Sequence, residues 1–175
     1  SFMQQAIRIG YLNHFLDNRV MESHFDDVNK NWENSHRGII CSTELNKKND
    51  VCIEVVNPQE FPRGIEGVWS PEHLFVAAAS GCLMTTFLAI AEKYTLDFIS
   101  FSCKAKGKLE SSDGKLMISE IFLYPEVVIH KQAHRNKAIR ILKKAEDACL
   151  INHAISSEII TQANIQVHTI LIENE

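Results

Sequence analysis

Two cysteines stand far apart in the chain, each in a setting that suits thiol chemistry. Cys82 sits near the middle of the small-residue-rich run Ser70-Pro-Glu-His-Leu-Phe-Val-Ala-Ala-Ala-Ser-Gly-Cys-Leu-Met-Thr-Thr-Phe-Leu-Ala-Ile-Ala91. Cys149 lies in Ala148-Cys-Leu-Ile-Asn-His-Ala-Ile155. Glu72 opens the first of these segments, and Arg63 falls a short loop before it. Two separated helical thiols and one pair of opposite charges suggest redox chemistry in an apolar pocket. The plainer reading is that free cysteine is a small hydrophobe at home in a core, and we apply it to Cys41, Cys52 and Cys103. Arg63 could equally be a solvated loop residue, and Glu72 an acid that complements a helix N-terminus.

The elements that must position these groups follow from pattern. Residues 1–27 form an extension in which Tyr11, Leu12, Phe15 and Leu16 fall at helical spacing. From Val28 the chain is extended: Trp32 leads into a strand over Arg37-Gly-Ile-Ile-Cys-Ser-Thr-Glu44. Asn46-Lys-Lys-Asn-Asp50 then reads as a hairpin loop before Val51-Cys-Ile-Glu-Val-Val56. Asn57-Pro58 ends that strand, and Phe61-Pro-Arg-Gly64 is loop. Ser70 is a natural N-cap, Pro71 suits the first helical position, and the helix is expected to reach about Lys93. Apolar residues nearly all round it imply burial on every side. The stretch His73–Ala91 carries no formal charge and approaches the length of a membrane span. It is rich in Ala, Gly, Ser and Thr and has no basic flank, so we read it as a core helix.

Phe101, Cys103, Ala105, Gly107 and Leu109 alternate with Ser102, Lys104, Lys106 and Lys108, the pattern of a half-buried strand. Ser111-Ser-Asp-Gly114 turns into a second strand, Leu116 to Ile129. Ala138, Ile141, Leu142, Ala145 and Ala148 line one face of an amphipathic helix, and a last strand is expected over Ile165–Ile172. The order predicts an α+β fold with mostly antiparallel sheet, residues 28–175 making one domain.

With 22 acidic against 18 basic residues and a formal charge of −4, the chain offers no electrostatic footprint for nucleic acid. Five cysteines without a CxxC spacing suit neither a secreted disulfide framework nor a zinc ribbon. No signal-like N-terminal pattern is visible. A cytoplasmic protein is the expectation.

Ser70-Pro-Glu-His-Leu-Phe-Val-Ala-Ala-Ala-Ser-Gly-Cys82 resembles the N-P-E-x-L-x-x-A-x-x-x-C signature of the OsmC/Ohr family of organic hydroperoxide reductases. Trp32 followed by Arg37-Gly and Cys41-Ser-Thr-Glu44 is similar to the W…G…STE entry strand of the OsmC branch. Arg63 resembles that branch's loop arginine, with a gap to the helix that differs by about one residue. Ala145–Ile155 is similar to A-x-x-x-C-P-x-S-x-x-L, with Leu150 in place of the proline. The resemblance covers roughly residues 28–172 and implies an OsmC/Ohr-like fold: mostly antiparallel sheets around a long buried helix and a second amphipathic helix, in an intertwined homodimer.

It further implies a cytoplasmic enzyme of the oxidative stress response without metal or organic cofactor. Cys82 would reduce an alkyl or lipid hydroperoxide to the alcohol and become a sulfenic acid, which Cys149 would condense into a disulfide. An external dithiol, a lipoylated protein or similar donor, would reopen that bond. A thiol set among Leu74, Phe75, Leu83, Met84 and Phe87 loses hydration, which disfavours the thiolate. A guanidinium against the sulfur restores it, a role that falls to Arg63, with Glu72 holding the arginine by a bidentate pair. Ten residues of continuous helix put Glu72 and Cys82 about 15 Å apart along the axis. Either the helix breaks within Ala77-Ala-Ala-Ser-Gly81, or a homodimer supplies groups from both chains. The competing reading is a non-catalytic dimer of the same fold that binds a hydrophobic small molecule in its interface cleft. A Cys/His hydrolase is weaker still, since no Asn or Asp stands in a recognisable relation to orient a histidine. His73 and His153, beside the two cysteine segments, are weighed as metal ligands and not adopted.

Overall fold

The computed structural model describes residues 26–168, except 27, 35, 43, 44 and 46–51. The helical spacing of Tyr11–Leu16, the loop over 46–50 and the end of the chain beyond 168 lie outside the described residues. The described chain divides into two compact units, one up to Phe75 and one from Val76 onward.

In the first unit, β1 (Asn29–Asn34), β2 (Arg37–Cys41) and β3 (Cys52–Val56) form an antiparallel sheet in the order β1-β2-β3. Val55 and Val56 are its buried residues at the exit of β3. The loop that follows is tied back to the sheet, because Val56 N–H donates to Trp69 O at 2.9 Å. Cys41 and Cys52 were expected to be inert core thiols. They are instead partners across β2 and β3, joined as a disulfide, with Cys52 exposed and Cys41 half-buried. Directly opposite residues of an antiparallel pair bring their side chains together, which a reading of separate strands does not reveal.

Helix α1 spans Pro71–Lys93, the bounds its sequence predicts. Its start is set by a reciprocal pair of hydrogen bonds. Ser70 Oγ accepts the His73 N–H at 3.3 Å, and His73 Nδ1 accepts the Ser70 N–H at 3.3 Å. This is the geometry of a capping box, with imidazole doing what glutamate usually does at the third helical position. The Ser70 hydroxyl also lies 2.8 Å from His73 Nδ1, and Trp69 meets the His73 ring edge-on.

The expected all-round burial of α1 is not what the chain achieves. Ala79, Leu83, Thr86, Phe87, Ile90 and Ala91 are buried, whereas Met84 and Leu88 are 40% and 41% exposed and Ala78 and Thr85 are open. One face packs on the chain's own core; the other is apolar and uncovered. By length and composition alone α1 could cross a membrane, but its buried face belongs to a packed core.

The second unit is built on a long hairpin, β4 (Phe98–Ser112) and β5 (Lys115–Ile129), antiparallel throughout. Alternate residues of β5, Ile121, Leu123, Pro125, Val127 and Ile129, are buried against α1 and α2 (Arg135–Ala148). Helix α2 contributes Ala138, Ile141, Leu142 and Ala145 to the same core. Phe87 anchors the layer, with its ring 5.5 Å from Phe98 and 4.9 Å from Phe101. At Gly107 a Cβ would fall 2.7 Å from Val76 Cγ2, so only glycine lets β4 pass so close to α1.

The strand expected over Ile165–Ile172 appears within the described residues as β7 (Asn164–Val167), and a further short strand that the sequence did not suggest, β6 (Glu158–Thr161), precedes it. Both run parallel to β5 along one edge, after the short helix α3 (Leu150–Ala154). Pro125 falls between the stretches that pair with β6 and β7, where its missing N–H costs no ladder bond. The architecture is α+β, dominated by antiparallel pairs with these two parallel additions.

Candidate functional site

Cys82 lies halfway along α1, half-buried at the border between its covered and open faces. The helix runs through Ala77–Gly81 without a break. Thr85 Oγ1 donates to the carbonyl oxygens of Gly81 and Cys82, each at 3.1 Å.

Cys149 is fully buried at the junction of α2 and α3. Its extended backbone (φ −70°, ψ 115°) ends α2 and makes it the N-cap of α3. Around it, His153 Nε2 meets Asp147 O at 2.9 Å and Asn152 Nδ2 donates to Glu146 O. The sulfur reaches Cys82. Burial, and then the hydrogen bond to Cys82, push the Cys149 thiol up to about 11. The backbone N–H groups of Asn152 and Ile151 pull the other way without overcoming these effects. At neutral pH Cys149 therefore keeps its proton and offers it to the Cys82 sulfur. Leu150 occupies the first position of α3 and is 59% exposed. That is the position proline suits, and the leucine found there is largely exposed.

In the other unit, Arg63 is exposed and adopts φ 62°, the left-handed region that non-glycine residues seldom enter. Such strain, about 1 kcal/mol or more, is concentrated at functional loops. Its guanidinium Nη1 lies 3.2 Å from His36 Nε2. A guanidinium can only donate, so Nε2 is the acceptor in this contact. The other ring nitrogen, Nδ1, lies 3.3 Å from Asn57 Nδ2.

Glu72 lies in the first turn of α1 with its Oε2 buried and lacking a hydrogen-bond partner among the described residues. A buried carboxylate oxygen without a donor is costly. The structure thus brings Cys82 and Cys149 together, and finds Arg63 held by His36 and Glu72 short of a donor. His36 escaped the sequence reading because 27 positions separate it from Arg63 and no spacing rule joins them. The Ser70–His73 box was visible in principle as a variant of S-x-x-E. Among the described residues no group of three or more His, Cys, Asp or Glu is placed to hold a metal.

The OsmC-like protein family profile matches residues 64–164. The uncharacterized protein YmaD of Bacillus subtilis (strain 168) is 24% identical over 150 residues, spanning 84% of this chain and 97% of its own length. Among solved structures, an OsmC-like protein of unknown function from Vibrio cholerae superposes with a TM-score of 0.71 at 23% identity, covering 81% of this chain and 99% of its own. An organic hydroperoxide resistance protein OsmC from Legionella pneumophila superposes with a TM-score of 0.62 at 17% identity, covering 84% and 100%. These structural likenesses carry the fold.

Proposed function

The chain belongs to the OsmC-like protein family, and from that premise we propose that it is a thiol-dependent reductase of organic hydroperoxides. The observation that carries the reading is the contact between the Cys82 and Cys149 sulfurs. As a thiolate, Cys82 attacks the outer peroxide oxygen. The O–O bond breaks, the alkoxide leaves and takes a proton as the alcohol, and Cys82 becomes a sulfenic acid. Cys149 then attacks that sulfur, water departs, and a disulfide closes. A dithiol donor, such as a lipoylated protein, returns both sulfurs to thiols by exchange.

Protonation suits Cys149 to the second step. Cys149 holds its proton, which suits the waiting partner rather than the first nucleophile. Arg63 is assigned as the cation that stabilises the Cys82 thiolate, and Glu72 as the carboxylate that grips it. A homodimer supports this assignment. The uncovered apolar face of α1 calls for a second surface, and the unbroken helix keeps Glu72 a long way from its own Cys82. The expected compartment is the cytoplasm, where dithiol donors are available.

One equivalent of cumene hydroperoxide, followed by intact mass and peptide mapping, tests the proposal. Loss of two hydrogens mapped to Cys82 and Cys149 is expected. Cys82→Ser should consume no peroxide, and Cys149→Ser should accumulate a sulfenate trappable by dimedone. Full turnover by Cys82→Ser would sink the reading, and an unchanged mass would favour a non-catalytic dimer that binds a hydrophobic molecule.

A further inference from the structure

Cys41 and Cys52 pair directly across β2 and β3, with Cα atoms 4.4 Å apart. That separation is the close spacing of a non-hydrogen-bonded antiparallel pair and lies within the range a disulfide bridges. The register puts Arg37, Ile39 and Cys41 on the same face as Val56, Glu54 and Cys52. On that face Arg37 and Glu54 form an ion pair with side chains 40% and 42% exposed. The cysteines therefore sit beside solvated charges, and Cys52 is itself exposed. Nothing in the peroxide chemistry uses them. Two thiols held opposite each other where a small molecule can reach them behave as a unit, since the first to react is resolved by the second.

We propose that Cys41 and Cys52 form a second redox couple, separate from Cys82 and Cys149, that exchanges with low-molecular-weight disulfides such as glutathione disulfide. The Cys52 thiolate attacks one sulfur of glutathione disulfide. A protein–glutathione mixed disulfide forms, and one glutathione thiolate leaves. Cys41 then attacks the Cys52 sulfur, the Cys41–Cys52 bond forms, and the second glutathione departs. Two protein thiols are oxidised, one small disulfide is reduced, and the two protons end on the two glutathiones. The reverse sequence reopens the bond. The couple responds to the thiol–disulfide ratio of the surroundings, not to peroxide, and it stands whether or not the chain reduces peroxides.

The test uses the Cys82→Ser/Cys149→Ser variant, equilibrated in buffers of graded glutathione to glutathione disulfide ratio, quenched with acid and alkylated. Loss of two hydrogens is expected in a single two-electron transition, with a disulfide-linked peptide joining Cys41 to Cys52. In Cys41→Ser the transition should vanish and one glutathionyl group should remain on Cys52. If the double variant does not fold, the full chain serves, because peptide mapping follows each cysteine separately. Complete separate alkylation of Cys41 and Cys52 in the most oxidising buffer, or a bond from either one to Cys103, would overturn the proposal.

Discussion

The guanidinium of Arg63 donates to Nε2 of His36 across 3.2 Å, joining the loop after β3 to the turn between β1 and β2. The imidazole Nε2 is the acceptor that fixes the direction of this exposed guanidinium. If Arg63 stabilises the Cys82 thiolate, His36 acts as its positioning residue. His36→Leu should lower kcat/KM for cumene hydroperoxide about 10-fold, and Arg63→Ala about 100-fold. His36→Gln keeps an acceptor oxygen and should restore most of the rate. Equal losses in His36→Leu and His36→Gln would show that the hydrogen bond does not matter.

Burial and its contact with Cys82 raise the Cys149 thiol to about 11 from an ordinary value of 9.0. The folded state holds the proton more tightly than the unfolded chain does. The associated stability is therefore intact below about pH 9 and declines as pH climbs towards 11, by up to about 2 kcal/mol. Urea unfolding at pH 8, 9.5 and 10.5 should trace that decline, and Cys149→Ala should flatten it. Timed iodoacetamide labelling at pH 8 should modify Cys82 well before Cys149.

Leu150 stands at the first position of α3, and Cys149 before it has ψ 115°. A residue preceding proline favours this extended region. Leu150→Pro should therefore be accommodated and should stabilise the fold by about 0.4–1 kcal/mol through the unfolded chain. Thermal unfolding checks the stability, and, under the proposed mechanism, dimedone should trap no more sulfenate than in the parent chain. A lower melting temperature would contradict the placement.

The Ser70–His73 box closes the start of the helix that carries Cys82. Ser70→Ala removes the oxygen that accepts the His73 N–H and should cost about 1 kcal/mol. His73→Glu retains an acceptor for the Ser70 N–H and should cost much less than His73→Ala. Chemical denaturation of the three variants separates these effects.

Where chemistry was local, the sequence sufficed. Ser70 and Pro71 mark the start of α1 because capping depends on neighbours in the chain. The alternation gave β4 and its inward side from Phe101 to Ala105, whereas Leu109, expected on that side, is 42% exposed just past a register shift at Lys108. Pairing between distant segments was another matter. Four-residue strands such as Glu158–Thr161 have no legible period, and they exist because β5 offers them an edge. Cys41 and Cys52 meet through a register that neither strand encodes alone. The meeting of Cys82 with Cys149 came from the family resemblance, since no spacing rule spans that distance. Apolar composition said that α1 is hydrophobic all round, but not which side its own chain would cover.

In the proposed homodimer, a helix with one half left greasy would tie folding to association. Sedimentation of the parent chain as a dimer is the expectation, and Leu88→Asp should leave the core beneath Phe87 untouched while sedimenting as a monomer. For the parent chain, each tenfold dilution should bring heat denaturation to a lower temperature, because mass action then favours the separated and less durable form. The durability of this protein would in that case be set partly by its abundance.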